Sequence, residues 1–296
     1  VNMQNLIKKF VGVLSLVSCT PLFVSCGTIG PTKNSLKPVS QGETEYTFEL
    51  KPAMEQKVVA NYKSHSHVEI FEDQQILRER DEIVEFSAQE EVVALGMDGR
   101  SFTQRVKILK KDGAVELHTL GFPEEGEELE TTLTTKAEVI KAGEYPKTSL
   151  FFVPPISLPA ESVKVGETWT LDKEWVSMNN GIPLKLELVS VLKEVYQCGS
   201  DPIGCADIEI SGSVKMMGVD DSKVNFNSEI RGRLFFALGR GILVWSSIKS
   251  QEKLVTEKQL LTVRGCMGSR LQSPEILSGL PLECEPVYDI PQVPGV

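Results

Sequence analysis

Apolar and polar residues alternate along most of the chain after Thr44. The alternation is cleanest over Ala206–Met217 and Lys223–Phe236, where one set of alternate positions is mainly apolar and the other mainly polar. A period of two predicts β-strands with one buried face. Shorter or less regular alternation predicts further strands over Lys57–Ile70, Glu82–Leu95, Ser101–Leu109, Ala114–Leu120, Leu129–Ile140, Thr168–Val176, Pro183–Val195 and Ile242–Val255.

Glycine-containing turn signals such as Asp98-Gly99 and Asn180-Gly181 separate these segments. Long strands joined by tight hairpins predict an all-β body in which an antiparallel, strongly curved sheet forms a half-barrel, a barrel or a sandwich. Helix should be minor. Partial helix over Glu72–Glu85, which is rich in Glu, Arg and Leu, is the less favoured interpretation of that segment.

The pattern also suggests an organisation into segments. The β body is expected over residues 44–265, and two similar halves, 44–149 and 150–265, are one interpretation of a weak repeat of Gly-Glu-Thr at residues 42 and 166. Composition bias is the other interpretation. The proline-rich segment Phe151–Ala160 fits a connector between the halves, and residues 266–296 fit a Pro-rich, disulfide-fastened tail lying across the body.

The first 26 residues have the composition of a targeting segment. Lys8 and Lys9 precede an apolar stretch that starts at Phe10, and no acidic residue occurs before Glu43. This arrangement is typical of a secretory signal peptide. A membrane-anchor helix is the less favoured alternative, because Ser, Cys, Thr and Pro interrupt the apolar stretch.

Two short segments, Leu16–Cys19 and Phe23–Cys26, resemble the lipobox of bacterial lipoproteins. The resemblance implies cleavage before a cysteine that carries diacylglycerol, with residues 1–25 as signal peptide, Cys26 lipidated and residues 26–43 as a flexible tether. Cys19 is the alternative lipid site, and an ordinary secretory signal with incidental cysteines is the other interpretation. Because no Asp follows either cysteine, the family's sorting scheme implies the outer membrane, facing the periplasm of a bacterial envelope.

The number of cysteines favours Cys26 as the lipid site. If Cys26 carries lipid, an even set remains after it, whereas lipidation of Cys19 leaves one cysteine over. An oxidising envelope permits disulfides. Proximity and a turn-rich loop favour the pairs Cys198–Cys205 and Cys266–Cys284.

The charge balance limits the classes of partner. The chain has 31 Lys and Arg against 41 Asp and Glu, a net charge of −10. Loss of residues 1–25 removes two lysines and leaves 29 basic against 41 acidic residues, a net charge of −12. Such a body should bind neither nucleic acid nor anionic headgroups by charge. The membrane contact is therefore expected to be the N-terminal lipid itself.

Few residues suggest catalysis or metal binding. His65 and His67 would lie on one face of a strand, which we expect to be solvated, and they are weak metal candidates because further ligands are lacking. His118 could join them only if distant strands aligned. No hydrolase, metalloprotease or phosphate-loop motif is present, so we expect no enzyme and no cofactor.

A second resemblance concerns the middle of the chain. Leu158-Pro159 followed by Val163–Trp169 is similar to an LP…V-x-V-G-[DE]-[ST]-W segment of several uncharacterised bacterial lipoprotein families with all-β bodies. The resemblance implies a curved β-sheet envelope protein and supplies no catalytic residues. The same residues also fit a loop–strand junction in which Gly166 makes the turn and Trp169 packs on the sheet.

The aromatic residues suggest where a ligand would bind. Phe235 and Phe236 are adjacent, so in a strand they point to opposite faces and one of them needs a cover. We expect a lipid-anchored, noncatalytic protein that binds a hydrophobic ligand, a peptide or an envelope partner. A structural or assembly lipoprotein that docks in a larger complex is the alternative, and a hydrolase with an unrecognised site is less favoured.

Overall fold

The computed structural model describes residues 37–39, 43–177, 181–218, 224–256, 259–272, 282 and 284. The fold is all-β, as predicted, and consists of one antiparallel sheet of 11 strands that does not close. The strands are β1 (Lys57–Glu72), β2 (Gln75–Leu95), β3 (Ser101–Asp112), β4 (Glu128–Thr134), β5 (Val139–Ala142), β6 (Thr168–Val176), β7 (Pro183–Tyr196), β8 (Cys205–Met216), β9 (Val224–Ala237), β10 (Ile242–Thr256) and β11 (Gln259–Leu271). Among the described residues, the only helices are two 3₁₀ turns, Leu117–Leu120 and Leu150–Phe152.

The chain traces the sheet from its centre outwards and then back. The strand order is β5-β4-β3-β2-β1-β11-β10-β9-β8-β7-β6. After β5 at one edge, residues 143–167 cross to β6 at the other edge, and the later strands return to the centre. There β1 pairs with β11, from Ala60 opposite Leu271 to Glu72 opposite Gln259. Both runs of strands therefore belong to one sheet.

The sheet is bent so that its two edges approach each other. The Val176 amide at the end of β6 donates to the Thr148 carbonyl, six residues after β5 ends. Ala137, in the turn between β4 and β5, packs in the same core cluster as Ile208 and Leu234 from the other half of the sheet. Bulges in the β2–β3, β7–β8 and β9–β10 pairings contribute to the bend. We call the inner face, which carries Tyr62, the concave face.

The segment before β1 and the connector before β6 cover much of the concave face. Tyr46 and Val163 exchange backbone hydrogen bonds of 2.9 and 3.0 Å, which joins the two segments. Phe48 is fully buried, with its ring centroid 5.7 Å from that of Trp169 and 5.8 Å from that of Phe236. Gly166 has φ +91°, so the turn prediction and the packing prediction for Trp169 both agree with the structure.

The convex face has a smaller core of its own. Phe236 faces the concave side, and its neighbour Phe235 is buried on the convex side beside Tyr196 and Trp245. The Cys198–Cys205 disulfide lies in the same cluster. The cover that the adjacent phenylalanines require is therefore supplied by the protein itself.

The disulfides are those that the sequence favoured, Cys198–Cys205 and Cys266–Cys284. The second places residue 284 on the convex face of β11 and β1. There the His65 Nδ1 atom lies 2.9 Å from the Cys284 carbonyl oxygen. The end of the described chain is thus attached both covalently and by hydrogen bonding.

The less favoured partial helix over Glu72–Glu85 does not form, because Asp73 and Gln74 adopt positive φ angles and form a two-residue hairpin turn between β1 and β2. Two local predictions were wrong. The expected strand Ala114–Leu120 is a loop that ends in a 3₁₀ turn. The expected strand Leu129–Ile140 is divided into β4 and β5 by the turn at Ala137, which also has positive φ.

The sequence also missed β11, which extends beyond the body boundary predicted at residue 265. Its alternation is hidden because both faces of the strand are largely buried: Leu261 and Val263 on one face, Thr262 and Cys266 on the other. Residues 37–39 of the predicted flexible tether are bonded to the end of β7 through Pro38 and Tyr196. The predicted signal residues 1–25, with Cys19, and Cys26 lie outside the described residues.

No helix in the described ranges combines the length and apolar character needed to cross a membrane.

The concave core should dominate stability. Leu192 is fully buried in β7, whereas Leu77 in β2 is 59% exposed. We expect Leu192→Ala to lower the free energy of unfolding by about 2–5 kcal/mol, because it leaves a cavity. The matched Leu77→Ala should lower it by less than about 0.5 kcal/mol. Denaturant unfolding of the oxidised protein measures both, and equal losses would contradict the assigned core.

Candidate functional site

A cavity of about 400 Å³ lies on the concave face, in the half of the sheet that contains β1 to β5. Its floor is formed by β1, β11 and β10, and one wall by β2, β3 and β4. The segment before β1, the connector and the loop between β3 and β4 cover it. The residues that represent these surfaces are Leu50, Phe102, Phe122, Ile156, Ile248 and Met267.

The register of the central strands builds the cavity floor. Tyr62 of β1 lies opposite Ser269 of β11, which lies opposite Ser246 of β10. The Ser246 and Ser269 hydroxyls are hydrogen-bonded to each other at 2.6 Å, so their polar atoms are satisfied. The next row places Met267 beside Ile248. Except for this paired set of hydroxyls and the Tyr62 hydroxyl, the floor is apolar.

The loop of residues 113–127, which we call the cover loop, closes the cavity from above β1 and β2. Gly113 has φ +119°, and a Cβ there would lie 2.2 Å from the Ile83 carbonyl oxygen, so only glycine lets the loop start this close to β2. Glu124 holds the loop in place by accepting hydrogen bonds from the Leu117 amide and, at 2.6 Å, from Lys111 Nζ. Residues 124–130 contain five glutamates, and these bonds give Glu124 a structural role in the cover loop.

Two glutamates of β2 line the cavity: Glu91 forms an ion pair with Lys57, whereas the Glu90 carboxyl lies among apolar side chains. Glu90 of β2 accepts a hydrogen bond of 3.4 Å from the Tyr62 hydroxyl. The Tyr62 ring stacks on Phe86 at 4.9 Å and meets Phe122 edge-on at 4.8 Å, which fixes the direction of the hydroxyl. Burial raises the pKa of Glu90 more than the Tyr62 hydrogen bond lowers it, and burial also raises the pKa of Tyr62.

Two further polar side chains lie on the same wall of the cavity as Glu90. Glu90 pairs with Val106 of β3, and two residues away Gln104 pairs with Thr131 of β4, on the same face of the sheet. Gln104 and Thr131 both line the cavity. We call Tyr62, Glu90, Gln104 and Thr131 the polar corner. A large apolar surface with a few convergent polar groups is the usual chemistry of a site for a small molecule.

A buried polar layer lies immediately beyond the cavity floor and consists of Ser64, Ser66, Ser250 and Glu252. Ser66 and Ser250 flank Gly265 of β11 on one row. Within the described chain, Ser64 Oγ, Ser66 Oγ and Glu252 Oε2 have no hydrogen-bond partner. Burial raises the pKa of Glu252 to about 8, although the Ser250 hydroxyl favours the charged form.

The histidine prediction was partly wrong. His65 and His67 do lie on one face of β1, the convex face, but they are buried rather than solvated. His67 Nδ1 lies 3.1 Å from Asp81 Oδ1, and His65 contacts the Cys284 carbonyl, so neighbouring protein covers both. His118 is elsewhere, with its Nε2 2.8 Å from Glu127 Oε2. In the part of the chain that the structure describes, no group of three or more metal-ligating side chains is arranged to hold a metal ion.

Sequence reasoning missed the polar corner and the polar layer, although a signal was present. The concave positions of β2 are Val84, Phe86, Ala88, Glu90 and Val92, so the glutamate interrupts an apolar series. A charged residue at an apolar position of a strand is unusual and indicates a special environment. Comparison with known proteins does not identify the site: no protein-family model matches the chain, and no curated protein is significantly similar to it.

The polar layer predicts a pH dependence of stability. Because the folded-state pKa of Glu252 is about 8, above its ordinary value of 4.5, the folded state retains the proton more strongly. The contribution of this proton to the free energy of unfolding is complete below pH 4.5. It should be lost at about 1.4 kcal/mol per pH unit as the pH rises towards 8. Glu252→Gln should therefore lose less stability than the parent between pH 5 and 8.

Denaturant unfolding at several pH values measures this difference. The exposed Glu161 provides the control, since Glu161→Gln should leave the parent's pH dependence intact. A Glu252→Gln protein with the same pH dependence as the parent would show that Glu252 is not protonated in the fold.

Proposed function

We propose that the protein is a lipid-anchored, noncatalytic β protein of the bacterial envelope, at the outer membrane facing the periplasm, which binds a hydrophobic small molecule on the concave face of its sheet. The observation that carries the proposal is the cavity of about 400 Å³ with its mainly apolar lining. Sites for small molecules commonly have volumes of about 300–1,000 Å³ and this type of lining.

Packing energetics support the same proposal. Protein interiors are close-packed and contain few voids larger than a water molecule. Side chains that line an empty apolar cavity lose dispersion contacts. An apolar ligand would restore these contacts, and it would shield Leu50, Phe122 and Met267 from water. Lys51 lines the cavity and is exposed, so the cavity is open to solvent at the segment that precedes β1.

The N-terminal attachment of the body supports the proposed anchor. The Val39 amide donates to the Val195 carbonyl and the Gln197 amide to the Lys37 carbonyl, so residue 37 is fixed at one end of β7. Cys26 precedes Lys37 by 11 residues, and a fully extended chain of that length covers at most about 40 Å. A lipid on Cys26 would keep this end of the body close to the membrane.

Ligand binding can be tested with the apolar fluorophore phenylnaphthylamine. Val58 lines the cavity, whereas Val59, next to it on β1, faces the opposite side. We expect Val58→Trp to fill the cavity and weaken binding by about tenfold, a loss of about 1.4 kcal/mol. Val59→Trp should leave the affinity within about twofold of the parent, which is well below that loss. Fluorescence titration measures both affinities.

Two results would contradict the binding proposal. One is a parent protein that does not bind the fluorophore. The other is equal weakening by both tryptophan variants, because an effect of the added indole alone does not depend on the cavity.

The anchor has a separate test. In bacteria labelled with radioactive palmitate, Cys26→Ser should abolish incorporation into the protein, whereas Cys19→Ser should retain it. The reason is that only the cysteine at the cleavage site receives diacylglycerol. If the Cys26→Ser protein is labelled and the Cys19→Ser protein is not, the lipid is on Cys19. A parent protein without label would refute the anchor.

A further inference from the structure

The charge inside the cavity limits the ligands that fit it. Glu90 is the carboxyl group of the polar corner, and its hydrogen bond comes from an uncharged donor, the Tyr62 hydroxyl. Among the described lining residues, the only cation is Lys51. Lys51 is exposed and donates its Nζ hydrogen bonds to the carbonyls of Leu238 and Gly239 at 2.9 and 3.2 Å. The interior of the cavity therefore contains an acid without a neighbouring base.

An anionic headgroup is unsuited to this interior. A carboxylate or phosphate beside Glu90 would bring a second acid out of water with no cation to compensate it. A cationic amine is also disfavoured, because an ammonium group beside Glu90 would have to leave water for the apolar lining. The cost of removing both ions from water offsets much of their attraction.

Uncharged hydroxyl groups match the polar corner. The Glu90 carboxyl accepts hydrogen bonds, and the Gln104 amide and the Thr131 hydroxyl both donate and accept them. A polyol has the same dual capacity at each oxygen. It can therefore satisfy these groups without introducing charge.

We propose that the cavity binds an uncharged amphiphile of the acylglycerol class, with its hydroxylated head at the polar corner and its hydrocarbon chain against Leu50, Ile156 and Met267. This proposal rests on the proposed function, since it specifies the ligand of the same cavity. It assigns the orientation of the ligand to Glu90, Gln104 and Thr131.

The test is displacement of bound phenylnaphthylamine from the full chain by three twelve-carbon amphiphiles, each below its micelle-forming concentration at pH 7. We expect monolauroylglycerol to displace the fluorophore at a concentration about tenfold lower than laurate or dodecylamine, a difference of about 1.4 kcal/mol. Laurate or dodecylamine displacing as well as or better than monolauroylglycerol would overturn the proposal. A parent protein that binds no fluorophore would contradict the proposed function rather than the ligand class, so the two failures are distinguishable.

Variants at Glu90 separate recognition of the head from binding of the chain. Glu90→Leu should weaken monolauroylglycerol about five- to tenfold more than it weakens phenylnaphthylamine, the effect of one or two lost hydrogen bonds. Glu90→Gln, which keeps hydrogen-bonding capacity, should leave monolauroylglycerol within about threefold of the parent and bring laurate closer to it.

The control is Glu130→Leu, at an exposed glutamate of β4 that is paired with Arg105 and does not line the cavity. Glu130→Leu should change neither the affinity for monolauroylglycerol nor that for phenylnaphthylamine. If Glu90→Leu does not fold, Glu90→Gln alone decides: a tenfold or greater loss of monolauroylglycerol affinity, or unchanged preference against laurate, would overturn the role of Glu90.

Discussion

The structure depends on covering the inner face of a sheet that does not close. A curved, open sheet of 11 strands exposes an apolar concave face, and no second sheet covers it in the described ranges. The cover comes from irregular chain: the segment around Phe48, the connector around Ile156 and the cover loop around Phe122. Irregular segments fill the β7–β10 half tightly and leave the β1–β4 half with a cavity. The cavity therefore arises because the three covering segments pack closely over one half of the sheet and less closely over the other.

The sequence predicted strands β6 to β10 better than the rest of the sheet. The strands β6 to β10 were predicted closely because their two faces differ in polarity, as at Ile208 and Glu209. The centre was harder: β11 is buried on both faces, so it has no clear alternation, and the β1–β2 hairpin has a turn without glycine at Asp73 and Gln74. The cysteine pairs followed from proximity. The polar corner did not, because Glu90, Gln104 and Thr131 lie on three different strands and reach one face of the cavity only through strand register.

The cavity and the polar layer show two uses of buried polar groups in one sheet. In the polar corner, Glu90 has a partner in Tyr62 and borders open volume, so a ligand can add hydrogen bonds there. In the polar layer, Ser64, Ser66 and Glu252 are enclosed by protein, where unmet hydrogen bonds cost stability. The row of Ser64, Met267 and Ile248 separates the two regions.

The pairing of β1 with β11 determines when the fold can form. Ala60 and Leu271 are partners across the centre of the sheet, and the Gln272 side chain donates to Asn61, 211 positions earlier. A chain that emerges from its N-terminus cannot pair β1 with β11 until residue 271 is available. Such distant pairings form slowly. The early strands stay without their central neighbour during that time. Under the proposed envelope location, this delay would help the chain to cross a membrane before it folds, because the topology itself postpones the native state.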